Sequence, residues 1–240
     1  MGNFHNLYIN NTSIKNNKYF ETSNDLLKYS NSKLNEIKAY KKRTGFLKNT
    51  NSKLGRKIYA FDLPAVVSCP DSEKCFQTCY ANKGTFLFKS TKQSNTYNFA
   101  IALNDIKYLK KELIKEIINK KIHCIRIHSS GDFFSKQYFL IWCAIAKKFP
   151  ALKIFTYSKA PQIQGVKIPK NLNIISSFIN IDNKNYLNYG SLEQMRILRK
   201  KARAFICPMT KGLEKYSTKN FNCSICKYCI TKNKPVFIQH

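Results

Sequence analysis

Cys69, Cys75 and Cys79 stand within eleven residues, in the segment CPDSEKCFQTCYA, directly after an apolar run from Ile58 to Val67. Thiols this close form a soft-metal site. A closed structural zinc takes four ligands, whereas a three-thiolate [4Fe-4S] cluster leaves one iron open to a substrate or cofactor. Three thiols therefore point to chemistry. A structural site stays open as an alternative, with His128 or Asp132 as the fourth ligand.

A second group follows near the C-terminus: Cys207, then Cys223-x-x-Cys226-x-x-Cys229. Four thiols suit a structural zinc or a second complete cluster. The CxxCxxC run is tighter than the two separated pairs of a zinc ribbon and is common among clusters. Either centre would fasten the C-terminus to the rest of the fold. The remaining cysteines, Cys124 and Cys143, sit in apolar runs and read as small buried hydrophobes.

Composition narrows the setting. Residues 1–20 lack the apolar stretch of a secretory signal, so nine cysteines point to a reducing cytoplasm and to metal, not to disulfides. No run of eighteen apolar residues is present, which excludes a membrane-spanning helix. The formal charge is +29, from 42 Lys and Arg against 13 Asp and Glu. A base composition that favours Lys and Asn codons would enrich Glu too, so the scarcity of acids is more than codon drift. Such a field favours a polyanion, DNA or RNA.

These residues need elements to place them. Residues 1–57 are polar, with twelve basic and three acidic side chains and a short helix expected over Leu26–Tyr40. They read as a basic, loosely ordered arm. From Ile58 onward strands and helices alternate. Strands are expected at Ile58–Val67, Ile122–His128, Lys153–Tyr157, Leu172–Ile179 and Ala204–Cys207. The spacing of Phe99, Leu103, Ile106, Leu109, Leu113 and Ile117 predicts one amphipathic helix over Thr96–Asn119. Ser135 caps a helix that turns Tyr138, Phe139, Trp142, Ile145 and Phe149 inward and ends at Pro150. Ser191 and Gln194 form a capping box for another helix through Arg203.

Alternation of this kind predicts an α/β fold with a parallel sheet, open or closed into a barrel. Three segments result: the arm (1–57), a (β/α) core with the first cysteine group (58–206) and a Cys-rich extension (207–240). In such folds ligands gather at the C-terminal ends of the strands. The polar residues fall there. Cys69, Cys75 and Cys79 follow the first strand, and His128, Ser129, Ser130, Gly131 and Asp132 the second. Thr156, Tyr157, Ser158 and Lys159 close the third, Ser176 and Ser177 the fourth, and Cys207 the fifth. His128 and Asp132 are the candidate catalytic groups. Their ordinary roles would be a satisfied rim histidine and a cap for the following turn.

The segments RIHSSGDFFSKQYFLIWCAIAKKFPALKIFTYSKA, CPDSEKCFQTCYANKG and CP…CSICKYC resemble the gene-product-88-like family of phage and plasmid proteins over most of residues 58–230. That family is in turn similar to radical S-adenosylmethionine enzymes, whose order is strand, three-cysteine loop, helix, and a second strand ending in Gly-Gly-Glu. The resemblance implies a partial (β/α) barrel of radical S-adenosylmethionine type. It implies a cluster on Cys69, Cys75 and Cys79, and contacts to the cofactor's methionine amino group from Ser130, Gly131 and Asp132. Tyr80 would lie near the adenine, and Thr156, Ser158 and Ser176 near the ribose and carboxylate. Two departures stand out: the loop is CxxxxxCxxxC, not CxxxCxxC, and Ser-Gly-Asp replaces Gly-Gly-Glu.

Two functions are expected from these residues. One is a radical S-adenosylmethionine-like enzyme with one or two [4Fe-4S] clusters and an electron donor, acting on a nucleic acid or nucleotide. The other is a non-catalytic nucleic-acid-binding protein whose clusters, or zinc at the C-terminal site, are structural.

Overall fold

The computed structural model describes residues 45–70, 79–176, 188–189, 205–207, 221–231 and 235–238. Four parallel strands form its main sheet: β1 (Tyr59–Phe61), β2 (Cys124–Ile127), β3 (Lys153–Ser158) and β4 (Leu172–Ser176). They pair in sequence order, with Tyr59 opposite Ile125, Ile125 opposite Ile154 and Ile154 opposite Leu172. An α/β fold with a parallel sheet is what the alternation predicts. The described residues show this sheet as four strands and not as a closed barrel.

The crossover from β1 to β2 holds two helices, α1 (Lys89–Asn104) and α2 (Ile106–Asn119). The expected single helix over Thr96–Asn119 is broken at Asp105. This residue leaves helical geometry and its side chain accepts the Tyr108 N–H at 3.0 Å, capping α2 afresh. Helix α3 (Lys136–Lys148) joins β2 to β3 and is capped by Ser135, whose hydroxyl accepts the Tyr138 N–H. It stops before Pro150, and Phe149 takes an extended φ of −122° as a residue before proline prefers.

Period-two alternation gives the sheet two faces. Phe61, Ile125, Ile127, Ile154 and Leu172 face the helices and join Leu109, Leu113, Phe139, Trp142 and Ile145 in the main core. Phe61 meets Trp142 edge to face, with centroids 5.3 Å apart. Ala60, Cys124, Arg126, Phe155, Tyr157 and Asn173 occupy the opposite face. A smaller core of Leu54, Ile58, Ala60 and Phe155 lies there, with Cys223, Cys229 and Ile230 packed against it.

Three expectations need correction. The first strand is three residues long, because residues 65–68 form a turn in which Val66 has φ +68°. The late strand, Phe205–Ile206, does not extend the main sheet. It pairs with Pro235–Ile238, which also pairs with Asn188–Tyr189, in a small parallel sheet. Residues 45–57, taken from sequence as part of the arm, pack into the fold: Phe46, Leu47 and Leu54 are fully buried. Glu116 on α2 holds them, accepting the N–H groups of Gly45, Phe46 and Leu47. The helices expected over Leu26–Tyr40 and Ser191–Arg203 lie outside the described residues.

Candidate functional site

The loop after β2 is tied to the loop after β1 by reciprocal bonds. Leu63 donates its N–H to Ser130 O at 3.0 Å, and Ser130 Oγ donates to Leu63 O at 2.8 Å. Ser129 N–H donates to Asp62 Oδ1 at 2.6 Å. Gly131 sits where the two loops touch, at φ +85°, and a Cβ there would lie 2.5 Å from Ser68 Oγ and 2.6 Å from Leu63 Cβ. Only glycine fits both the turn and the approach.

Asp132 is buried and its oxygens are fully engaged. Oδ1 accepts Phe133 N–H and Ser158 Oγ, each at 2.7 Å, and Oδ2 accepts Lys159 N–H at 2.8 Å. It bolts the exit of β2 to the exit of β3. Burial raises its pKa above the usual carboxylate range, against the pull of these donors. Ser158 is spent on the same bolt. Thr156 is fully buried on the helix face, and Ser176 lies opposite Ser158 in the ladder.

His128 is buried in an aromatic nest. Its ring meets Phe133 at 4.7 Å, and Nε2 lies 2.9 Å from Tyr138 Oη. Nδ1 has no partner, and burial pulls the pKa down to about 3. The side chain is therefore neutral at physiological pH.

Tyr80 follows Cys79 directly. Its hydroxyl donates to Ser129 O, and its ring meets Phe86 edge to face. Cys79 packs against the small cluster of Ala65, Val66 and Ala81, and Cys69 closes the turn through its N–H to Val66 O. Cys69 and Cys79 thus flank one loop at the exit of β1. Cys75 lies outside the described residues.

The second cysteine group lies beneath the sheet, on the face away from the helices. Cys223–Cys226 form a one-turn helix that Asn222 caps. Cys223 and Ser224 donate their N–H groups to the carbonyls of Lys53 and Leu54, at 2.9 and 3.0 Å. Tyr157 Oη donates to Cys229 Sγ at 2.8 Å, and Asn173 Nδ2 to Cys229 O at 2.6 Å. Burial pushes the Cys229 thiol up to about 11 and raises that of Cys223.

Arg126, Asp62 and Cys124 are members that the sequence did not single out for a site, and Tyr157, read as a residue of the third strand exit, joins them on the face away from the helices. Arg126 sits mid-sheet between Ala60 and Phe155 in the register. Its guanidinium stands 5.3 Å from the Tyr157 ring centroid, and one nitrogen reaches Tyr80 Oη at 3.5 Å. Its Nε is buried without a partner. Asp62 is the acid that bears on it, and burial raises the pKa of that carboxyl too. Cys124, expected to be a plain hydrophobe, shares the face with Cys223. Burial, then the Cys223 thiol, pushes it up to about 12. Cys143 is buried in α3, as expected.

The donors on this face are the right kind for a thiolate metal, and a cation would reverse the upward shifts of the thiols. As they stand, no three His, Cys, Asp or Glu side chains among the described residues gather closely enough to hold an ion. No helix among them is long and apolar enough to cross a membrane.

The family model for Gene product 88 matches residues 26–225. The chain belongs to the Gene product 88 family. Among its relatives is the Gene 88 protein of Mycobacterium phage L5, 24% identical over 192 residues that cover 70% of this chain and 80% of the relative. The Gene 88 protein of Mycobacterium phage D29 is 25% identical over 128 residues. That match takes in 49% of this chain and 53% of the relative, so the chain spans about half that protein's length. No solved structure matches. The family match begins at residue 26, well inside the segment read as an arm, as the burial of Phe46, Leu47 and Leu54 requires of its later part.

Proposed function

We propose that this Gene product 88 protein is a thiolate-metal protein that acts on nucleic acid. One observation carries the reading: Arg126, whose Nε is buried without a partner, reaches Tyr80 of the first cysteine loop and is acted on by the charges of Cys223 in the second group and of Asp62. A buried cation with few donors satisfied is costly unless an anion faces it. Asp62 bears on this cation, but burial raises the pKa of its carboxyl; thiolate-bound metal centres, which carry net negative charge, would add to that anion, whereas neutral thiols would not.

Cys69, Cys75 and Cys79 would hold a [4Fe-4S] cluster at the rim, and Cys207, Cys223, Cys226 and Cys229 a second cluster or a zinc. In the enzyme form of this reading, a rim cluster held by Cys69, Cys75 and Cys79 would supply one-electron chemistry toward S-adenosylmethionine, with electrons from an external donor. Tyr80, Ser130 and Gly131 would line that pocket, with Thr156, Ser158 and Ser176 further along the strand exits. The sequence reading placed Asp132 and His128 there as catalytic groups. Their bonds favour positioning the loop over touching a substrate. The +29 charge favours nucleic acid as the substrate class.

Anaerobic purification with iron, sulfide and zinc assays tests this reading. Brown protein with iron and sulfide supports it, and S-adenosylmethionine calorimetry on that material separates enzyme from structural cluster. Colourless protein free of iron, sulfide and zinc sinks the metal half. A second reading then holds: a nucleic-acid-binding protein with reduced thiols. The ungrouped cysteines among the described residues favour it.

A further inference from the structure

The segment just beyond the first cysteine loop gathers three of the seven exposed large hydrophobic side chains among the described residues, the other four standing apart from one another along the chain. Phe88 is 62% exposed, and Tyr80 and Leu87 are each 44% exposed. Two 3-10 turns, Tyr80–Asn82 and Gly84–Leu87, lead to Phe88, and α1 begins at Lys89; the Tyr80 hydroxyl is tied back to Ser129 O while its ring stays partly exposed. Lys83 and Lys89 stand exposed among them. No Asp or Glu occurs from Tyr80 to Asn104.

Single exposed apolar side chains are ordinary, but several gathered in one patch mark an interaction site. Here rings and lysines alternate on short turns, without the long amphipathic helix that an interfacial membrane anchor presents. Rings that stand clear of the surface offer stacking faces for bases, while neighbouring lysines meet the phosphates. Stacking of this kind requires unpaired bases, because a duplex buries their faces.

We infer that the Tyr80–Lys89 segment is a docking surface for single-stranded nucleic acid, with Phe88 as the stacking platform and Lys83 and Lys89 as phosphate contacts. This deepens the nucleic-acid half of the proposed function and holds whether or not metal is bound. It places the strand beside Cys79 and Tyr80, at the rim where the sheet ends.

The test is fluorescence anisotropy of the full chain with a labelled mixed-sequence single strand, as DNA and as RNA, and with the matching duplex. The single strand is expected to bind tighter than the duplex. Phe88→Ala should weaken it about 5- to 150-fold, the range expected for losing one stacked base, and leave the salt slope unchanged. Lys83→Gln with Lys89→Gln should lower the salt slope by about 1.4, at roughly 0.7 per phosphate. Phe88 is exposed, so folding should survive, and circular dichroism checks it. Parent-like binding by Phe88→Ala overturns the inference, as does preference for the duplex. Loss of binding to anionic vesicles in Phe88→Ala, with oligonucleotide affinity intact, overturns it in favour of a lipid surface. If the parent binds no nucleic acid at all, the nucleic-acid half of the proposed function fails as well. Metal content measured on the same samples reports separately on the other half.

Discussion

Replacing Asp132 by Asn separates a structural bolt from a ligand contact. The carboxylate takes three donors on two oxygens: Phe133 N–H and Ser158 Oγ at Oδ1, and Lys159 N–H at Oδ2. An Asn of the same shape offers one oxygen and two donors. Whichever way the amide points, its NH2 faces a backbone N–H, and one buried donor is orphaned. An orphaned buried group costs about 1–3 kcal/mol, and the surviving bonds fall from charge-assisted to neutral, about 1 kcal/mol more. Relief of the buried charge, which already raises this carboxyl's pKa, offsets part of this. The net loss is about 2–3 kcal/mol. In a chain of this size each kcal/mol moves Tm by about 2–4 °C, so a fall of about 4–12 °C is expected by calorimetry. Ser158→Ala removes one bond of the three and should cost about 1 kcal/mol. An Asp132→Asn protein that melts with the parent yet loses S-adenosylmethionine binding would refute the bolt and restore Asp132 as a cofactor contact.

Other perturbations follow from the same contacts. His128 has a folded pKa of about 3 against 6.5 when unfolded, so the unfolded chain alone takes up this proton between those values. Its contribution to stability is complete above pH 6.5 and falls by about 1.4 kcal/mol per pH unit below it. His128→Asn keeps a residue that tolerates φ +61° and should flatten that slope in denaturant titrations from pH 7 to 5. Arg126→Met should leave the Tm of metal-free protein unchanged or higher, yet speed metal loss to a chelator about 10-fold or more; a collapsed metal-free variant would contradict this. Gly131→Ala meets Leu63 and Ser68 at φ +85° and should destabilise by more than 1 kcal/mol, read from urea midpoints. Cys226→Ser should expose residues beyond Lys211 to limited proteolysis if a metal fastens them, and unchanged protection would count against a structural centre.

Much of the helix-side architecture was legible because alternation and 3.6-residue periodicity both report on a face that packs against helices. Ser135 and Pro150 bounded α3 for local reasons that need no tertiary contact. The break at Asp105 was legible in principle, since an Asp three residues before Tyr108 in a polar gap is an N-cap. A continuous apolar stripe outweighed it. The opposite face was harder. In CIRI the alternation sets Arg126 and Cys124 against Ile125 and Ile127, but one more arginine in a +29 chain reads as solvated. The signal lay one strand over. Phe155 and Tyr157 alternate with Ile154 and Thr156, so β3 is apolar on both sides and both sides must be covered. Arg126 pairs with Phe155 in the register and is covered with it. Which segment does the covering depends on contacts across about a hundred residues of chain, and local pattern carries no record of these.

The strand order explains why the cover falls where it does. The main sheet adds its strands one after another in a single direction, and crossovers of the usual right hand then put the helices on one face only. The other face must close on itself as a barrel or take a lid from elsewhere in the chain. Among the described residues four strands leave it open, and the segment from Asn222 to Thr231 lies across it, pinned by Lys53, Leu54, Tyr157 and Asn173. That lid brings thiols to a surface whose centre holds a guanidinium. A lid made only of apolar residues would bury the same area without the charge problem. On the proposed function the thiols beside Arg126 would be ionised, and a bound metal would be the means of ionising buried thiols near neutral pH.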